Sequence, residues 1–300
     1  MNIRDLQYLV ALADHGHFGK AADECAVSQP ALSMQIKKLE QSLGVKLLER
    51  TNKSVMLTDS GTVIAERARE ILHQVAGVRE FAKSVKDPYS GELKLGIFPT
   101  LAPYLMPHII PPLGKIFPKL FIHLVEEKTT ELLQQLKQGK IDAAILGLPV
   151  EGAGFTSTLL FEEEFLFTVP HSHPLAKKAV IKQQDLDHKS LLLLDDGHCM
   201  RAHMLSFCHQ MHAIETKNFR ATSLETLRHM VAAGAGITLM PKLSSLGCDL
   251  ATFIPFEEPK PVRSIGLIFR SSTTKTILLT EIVNQLKNIL RQNKYVSVVD

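Results

Sequence analysis

No stretch of this 300-residue chain approaches the roughly 18 consecutive apolar residues that a membrane-spanning helix needs. Near its N-terminus stand Arg4, Asp5 and Asp14 in place of the apolar core of a signal peptide. A cytoplasmic protein with no membrane partner is the expectation. Cysteine is scarce. Four residues cannot staple a chain of this length, and in a reducing compartment a cysteine pair more often serves catalysis or redox sensing. No P-loop is present. Gly234-Ala235-Gly236 is not a dinucleotide fingerprint, because it closes a helical pattern instead of opening one and lacks the third glycine. No cofactor is therefore expected. Nor is a metal: Cys199/His203 and Cys208/His212 are i, i+4 pairs, but they project from opposite faces of one helix, so four ligands cannot converge. Net charge is only +3, too small to demand a nucleic-acid partner by itself.

The distribution of charge says more. Between residues 29 and 53, five cations (Lys37, Lys38, Lys46, Arg50, Lys53) face two anions (Glu40, Glu49), a local +3 that equals the excess of the whole chain. That segment lies in a compact run of three short helices and a hairpin. Leu6, Leu9, Val10 and Ala13 make one apolar face, ended by Gly16. Phe18, Ala21, Ala22 and Cys25 make a second. Ser28 is placed to cap a third helix with Pro30 in its first turn, Leu32, Ile36, Leu39 and Leu43 as its buried stripe, and Gly44 as its stop. Residues 45–58, with Asn52-Lys53 near the middle, fit a two-stranded wing. The expected architecture for 1–58 is a winged helix-turn-helix that offers polar residues to base edges and wing cations to phosphate. A small helical domain with solvated lysines is the plainer alternative.

Residues 59–87 read as one long helix. Ile64, Ile71, Val78 and Val85 recur every seven residues, with Ala68, Val75 and Ala82 between them. Such a seam has to be buried, on a second copy or on its own domain; a linker and dimerisation helix is the expectation. Asp87-Pro88-Tyr89-Ser90-Gly91 reads as a linker.

Residues 88–300 alternate strand-like and helix-like segments, with candidate strands at 92–98, 121–126, 141–148, 165–169, 191–194, 219–221, 236–240 and 265–269. An α/β fold follows, with two lobes of parallel-rich sheet. Thr100, Thr129 and Ser223 sit where a strand or loop passes into a helix and are expected as N-caps. Past the apolar run 191–194, Gly197 and His198 turn the chain. From Cys199 on, Met204, Leu205, Cys208 and Met211 recur at helical spacing. Cys199 would occupy the first helical turn with Arg201 nearby, where the dipole and a cation favour a thiolate. Nine residues at ~1.5 Å rise put the two sulfurs' backbones roughly 13 Å apart, against the roughly 4.4–6.8 Å that a disulfide spans. Joining them requires the helix to unwind. The residues allow two readings at this point: a redox switch, or a core Cys208 with an incidental surface thiol at Cys199.

Several blocks resemble the LysR-type transcriptional regulators: Leu6-Gln7-Tyr8-Leu9-Val10, Phe18-Gly19-Lys20-Ala21-Ala22, Val27-Ser28-Gln29-Pro30-Ala31-Leu32-Ser33 and Leu43-Gly44-Val45-Lys46-Leu47-Leu48-Glu49-Arg50. The resemblance implies double-stranded DNA as partner, with contacts from Ser28, Gln29, Pro30, Ser33, Lys37, Arg50 and Lys53. It also implies a dimer helix with Ile64, Ile71, Val78 and Val85, and a two-lobed, Rossmann-like (periplasmic-binding-protein-like) regulatory domain. Lobe I would be 90–161 plus 266–300 and lobe II 162–265, with a hinge near 161–164 and 263–265. Further blocks, Leu193-Leu194-Asp195-Asp196-Gly197-His198-Cys199-Met200-Arg201, Phe207-Cys208 and Phe219-Arg220-Ala221-Thr222-Ser223-Leu224-Glu225, are similar to the hydrogen-peroxide-sensing OxyR branch.

This second likeness implies that Cys199 is oxidised by hydrogen peroxide to a sulfenic acid and that Cys208 resolves it to a reversible disulfide. Thr100, Thr129, His198, Arg201 and Arg263 are the candidates for supporting the peroxide site. A homotetramer on DNA, activation of antioxidant genes with RNA polymerase, and resetting by a cellular dithiol complete what the branch implies. Ala202 and Asn218 depart from its common pattern, where Asp and His can stand. A metabolite-responsive regulator, binding a small effector between the lobes with Cys199 incidental, is the alternative. A thiol peroxidase, the enzymatic alternative, leaves the DNA-binding segment without a purpose.

Overall fold

The structure is a computed structural model that describes residues 1–50, 55–84, 87–150, 152–195, 200, 204, 205, 207 and 213–299, without the side chains of 50, 79–84, 217 and 218. Cys199, Cys208, His198, Arg201, Ala202, Lys53 and Val85 lie outside the described residues, as do the side chains of Arg50 and Asn218. The chain divides into two compact units, Met1–Lys86 and Asp87–Asp300.

The first unit runs α1 (Ile3–His15), α2 (Phe18–Glu24), α3 (Gln29–Leu43), β1 (Leu48–Arg50), β2 (Val55–Leu57) and α4 (Asp59–Ser84). Its punctuation follows from local chemistry. Gly16 and Gly44 end α1 and α3 in the left-handed conformation that glycine adopts without strain. The Ser28 hydroxyl accepts from the Ala31 N–H to open α3. The core contains Leu9, Leu12, Ala21, Ala22, Leu32, Ile36 and Leu39. On α1 the buried face is therefore centred on Leu6, Leu9 and Leu12, with Val10 only half-buried. Buried Glu40 ties α3 to the wing, its carboxylate accepting from the N–H groups of Leu47 (2.9 Å) and Leu48 (3.4 Å).

The two ends of α4 differ. Ala65 and Ala68 are buried, and Arg69 pairs with Asp14 of α1 (2.8 Å), so the first half packs on its own unit. Further along, Ile71 is 43% and Val78 71% exposed. Among the described residues, these two positions of the seven-residue seam are not buried.

The second unit carries β3 (Gly91–Ile97), α5 (Ala102–Ile116), β4 (Leu120–Glu126), α6 (Thr129–Lys137), β5 (Ala143–Leu148), β6 (Phe155–Val169), β7 (Ser190–Leu194), β8 (Ile214–Ala221), α7 (Leu224–Ala232), β9 (Thr238–Pro241), β10 (Thr252–Ile254), β11 (Val262–Arg270), α8 (Thr276–Leu290) and β12 (Ser297–Val298). Strands β4, β3 and β5 are parallel neighbours; β11 and β6 continue that sheet antiparallel. The far half of β6 pairs antiparallel with β9 and β10, and β7 with β8 makes a separate parallel pair. The sheet is therefore mixed rather than parallel-rich. The cause is β6 and β11, two long strands that run against the βαβ units and carry the chain between two hydrophobic cores. Only the last third of β6, residues 165–169, stands out in the sequence, because residues 155–164 lack a clean apolar pattern. The expected linker at Asp87–Gly91 is packed: Tyr89 stacks near Phe117 (5.8 Å between ring centres), and Asp87 bonds Lys119 (3.1 Å).

A close approach explains one glycine. A Cβ on Gly61, at the start of α4, would stand 2.0 Å from the Leu47 carbonyl oxygen, which is backbone and cannot swing aside. Gly61→Ala is expected to destabilise the first unit by about 2 kcal/mol or more, read as a lowered Tm in thermal unfolding, through a clash of the overpacking kind.

Candidate functional site

On α3, the stripe Leu32, Ile36 and Leu39 faces the core, which turns Gln29, Pro30 and Lys37 to solvent and leaves Ser33 half-buried. Gln29, Ser33 and Lys37 are spaced i, i+4, i+8, so they share one side of the helix. Ser28 serves the helix first, as its cap. The short hairpin β1–β2 follows in antiparallel register, Leu48 opposite Leu57 and Arg50 opposite Val55. Lys53 falls between these strands, outside the described residues.

The polar centre of the second unit is Arg263. This residue is 2% exposed and Glu163 is fully buried. Arg263 Nε donates to Glu163 Oε2 at 2.8 Å, and the other carboxylate oxygen accepts from the Leu243 N–H, also at 2.8 Å. The guanidinium further donates to the hydroxyl and the carbonyl of Thr100, both at 3.3 Å. Phe98 and Phe165 bracket it, 5.4 and 5.8 Å from their ring centres. Such a cluster is tenable because every charge is paired and bonded in a low-dielectric setting.

Thr100 and Thr129 were expected as N-caps; neither is one. The cap of α5 is Leu101 and that of α6 is Lys128, with no side-chain bond at either. Thr100 is diverted to Arg263, whereas Ser223 does cap α7, accepting from the Thr226 N–H. Thr129 Oγ1 is buried and has no hydrogen-bond partner among the described residues. The two threonines share an edge. β3 and β4 pair in register up to Ile97 and Glu126, and each threonine follows three residues later. Both stand at the carboxyl end of a parallel pair, where open α/β sheets place ligands. Thr100 Oγ1 accepts from Arg263, a bond that does not use the hydroxyl's own proton.

The cysteine segment joins β7 to β8, and Cys199 and Cys208 themselves lie outside the described residues. Met200 and Met204 are helical and fully buried, an i, i+4 pair on the second core. Phe207 meets Phe165 edge-to-face at 5.3 Å. Phe165 is the same ring that faces Arg263, so packed contacts run from the cysteine segment to Thr100. The β7–β8 pairing is irregular. Leu191 is opposite Glu215 but Leu193 is opposite Arg220, which leaves extra β8 residues between paired positions.

Sequence reasoning missed Glu163. Its signal was period two: Phe161, Glu163 and Phe165 share a strand face, and a carboxylate between two buried rings requires a cation. Also missed was Tyr104, which packs against both cores and donates to Glu225 at 2.6 Å. Burial, then the bond to Glu225, raises its phenol far above the ordinary value. Among the described residues, no group of His, Cys, Asp and Glu could hold a metal, and no helix is long and apolar enough to cross a membrane.

Two family models match: the bacterial regulatory helix-turn-helix of the lysR family over residues 3–62, and the LysR substrate binding domain over 86–291. The chain is 48% identical over 273 residues, 90% of both chains, to the DNA-binding transcriptional dual regulator OxyR of Escherichia coli. It is 45% identical to a hydrogen peroxide-inducible genes activator of Haemophilus influenzae, over 90% of this chain and 91% of that one. Among solved structures, a full-length cysteine-to-aspartate variant of OxyR from Pseudomonas aeruginosa superposes with a TM-score of 0.80 at 36% identity, covering 96% of this chain and 95% of that one. A cysteine variant of Corynebacterium glutamicum OxyR with hydrogen peroxide bound gives 0.67 at 31% identity, over 97% and 93%. Matched from its helix-turn-helix to its two-lobed domain, this chain belongs to the LysR family of DNA-binding transcriptional regulators, in the OxyR branch, and is not an enzyme.

Proposed function

We propose that this chain is a hydrogen-peroxide-responsive activator of antioxidant genes, switched by a reversible Cys199–Cys208 disulfide. One observation carries the reading beyond family likeness: at the ends of the paired strands β3 and β4 stand Thr129, its hydroxyl buried and without a hydrogen-bond partner among the described residues, and Thr100, its hydroxyl accepting from Arg263. Two hydroxyls at a strand edge, each able to donate and to accept, suit a small, neutral ligand that does both, as a peroxide does. They do not suit an acidic effector, because the buried cation there is already neutralised by Glu163. This weighs against the metabolite-binding alternative.

In the proposed chemistry, the Cys199 thiolate attacks one peroxide oxygen. The O–O bond breaks, sulfur keeps one hydroxyl as a sulfenic acid, and the other leaves as hydroxide and is protonated to water. Thr100 and Thr129 hydrogen-bond the peroxide. His198 and Arg201 favour the thiolate, and Arg263 orients Thr100. Cys208 then displaces water from the sulfenic sulfur to give the disulfide. The irregular pairing between β7 and β8 supports remodelling of the segment, since little regular ladder has to be broken. Dithiol exchange resets it.

DNA contacts come from Ser28, Gln29, Pro30, Ser33, Lys37, Arg50 and Lys53. Ile64, Ile71, Val78 and Val85 pair two copies, dimers assemble into a tetramer on DNA in the cytoplasm, and the oxidised form engages RNA polymerase. The units 1–58, 59–87 and 88–300 divide these tasks.

Cys199→Ser is expected to bind DNA but give no footprint change with peroxide, whereas Cys208→Ser should accumulate sulfenate, detectable by peptide mapping. Cys25 should stay reduced throughout, because burial and then the Glu24 charge raise its thiol above the usual value. A normal footprint response in Cys199→Ser would sink the switch.

Thr129→Val keeps shape and removes a hydroxyl that bonds none of the described residues. Stability should be unchanged or slightly higher, while the rate of Cys199 oxidation should fall about tenfold, for a lost hydrogen bond of roughly 1.4 kcal/mol. Stopped-flow kinetics with peroxide, set beside thermal unfolding, separates the two effects.

Ile71→Asp with Val78→Asp is expected to give monomers in sedimentation at micromolar concentration, since both side chains are exposed in the single chain and the change leaves its core intact.

A further inference from the structure

We propose that Met34 reads DNA sequence directly, its exposed side chain packing on the C5 methyl group of a thymine in the site that α3 enters. The inference rests on the DNA-binding face described above and adds a reader of different chemistry to it.

Among the residues of α3, Met34 is the one large hydrophobic side chain that is exposed, at 55%. At ~100° per residue it lies nearly opposite the stripe Leu32, Ile36, Leu39 and Leu43. It adds little to the core, so folding does not account for a flexible apolar chain at this position. It does lie on the outward half of the helix, directly after Ser33, one turn past Pro30 and one turn before exposed Lys37. That is the part of a recognition helix that meets base edges.

The polar side chains on this face can exchange hydrogen bonds with bases. None of them recognises what sets thymine apart in the major groove, a methyl group beside its O4 acceptor. Met34 supplies the missing complement. Its unbranched thioether can conform to a methyl whose position shifts with local DNA shape.

The test uses the full-length reduced chain. Its preferred duplex is selected from a random library, and each thymine is then replaced singly by uracil, which deletes only the methyl. Affinities are measured by fluorescence anisotropy for the wild type, Met34→Ala, Met34→Leu and Lys37→Ala.

At one position per half-site, uracil should weaken wild-type binding about fourfold, the equivalent of ~0.8 kcal/mol for one buried carbon. Met34→Ala should bind thymine and uracil there alike. Met34→Leu should keep the penalty, and Lys37→Ala should weaken all duplexes uniformly while keeping it. Wild-type binding indifferent to uracil everywhere overturns the proposal. A penalty undiminished in Met34→Ala also overturns it, and would assign the methyl to Pro30. Failure to enrich any sequence would reject the DNA-binding face together with it. Because Met34 is exposed, its variants should unfold at the wild-type temperature, so a change in affinity is not a change in folding.

Discussion

The second unit is organised by a buried ion pair. Arg263 and Glu163 come from the two strands that carry the chain between its hydrophobic cores, and almost no water reaches either side chain. Removing one partner of such a pair typically costs about 3–5 kcal/mol, because the other charge is left uncompensated in a low-dielectric interior. The pair therefore fixes how β6 and β11 lie where they pass from one sheet to the next. It also uses both ends of the carboxylate. One oxygen holds the arginine and the other holds the Leu243 amide beyond β9, so a single side chain ties three parts of the lobe interface together.

The same pair sets the chemistry at the strand edge. A guanidinium satisfied by Glu163 has little charge left to attract an anion, but its spare N–H groups still position Thr100. In the proposed peroxide site, recognition would therefore come from oriented hydroxyls rather than from net charge. Phe165 links this site to the segment that carries the cysteines, touching Arg263 on one side and Phe207 on the other. The coupling energy between Phe207 and Thr100 along this packed route is what a double-mutant cycle measures.

Much of the first unit was legible because local rules agree with one another there. Ser28, Pro30, Gly16 and Gly44 each act within a few residues, and the stripe Leu32, Ile36, Leu39 has a single period. Glu40 was not legible in this way. Its partners are the backbone amides of Leu47 and Leu48, which no side-chain pattern announces. In the second unit the same limit displaced Thr100 and Thr129 from their expected capping roles. A hydroxyl before a helix reads as a cap until a distant arginine, 163 residues along the chain, claims it. The mixed sheet was missed for a related reason: strand direction depends on which long-range neighbour a segment finds, and the apolar residues of 155–164 do not alternate along its whole length.

The heptad in α4 shows where single-chain structure stops explaining a sequence. Small alanines at 65 and 68 let the helix lie close against its own domain, and that contact accounts for the first half of the pattern. Among the described residues nothing covers Ile71 and Val78, which stay largely exposed. In the proposed dimer the helix serves two surfaces in succession, the near half its own unit and the far half a second copy. Such a pairing would suit a two-fold DNA site, because the rod joining two recognition helices sets the distance between them.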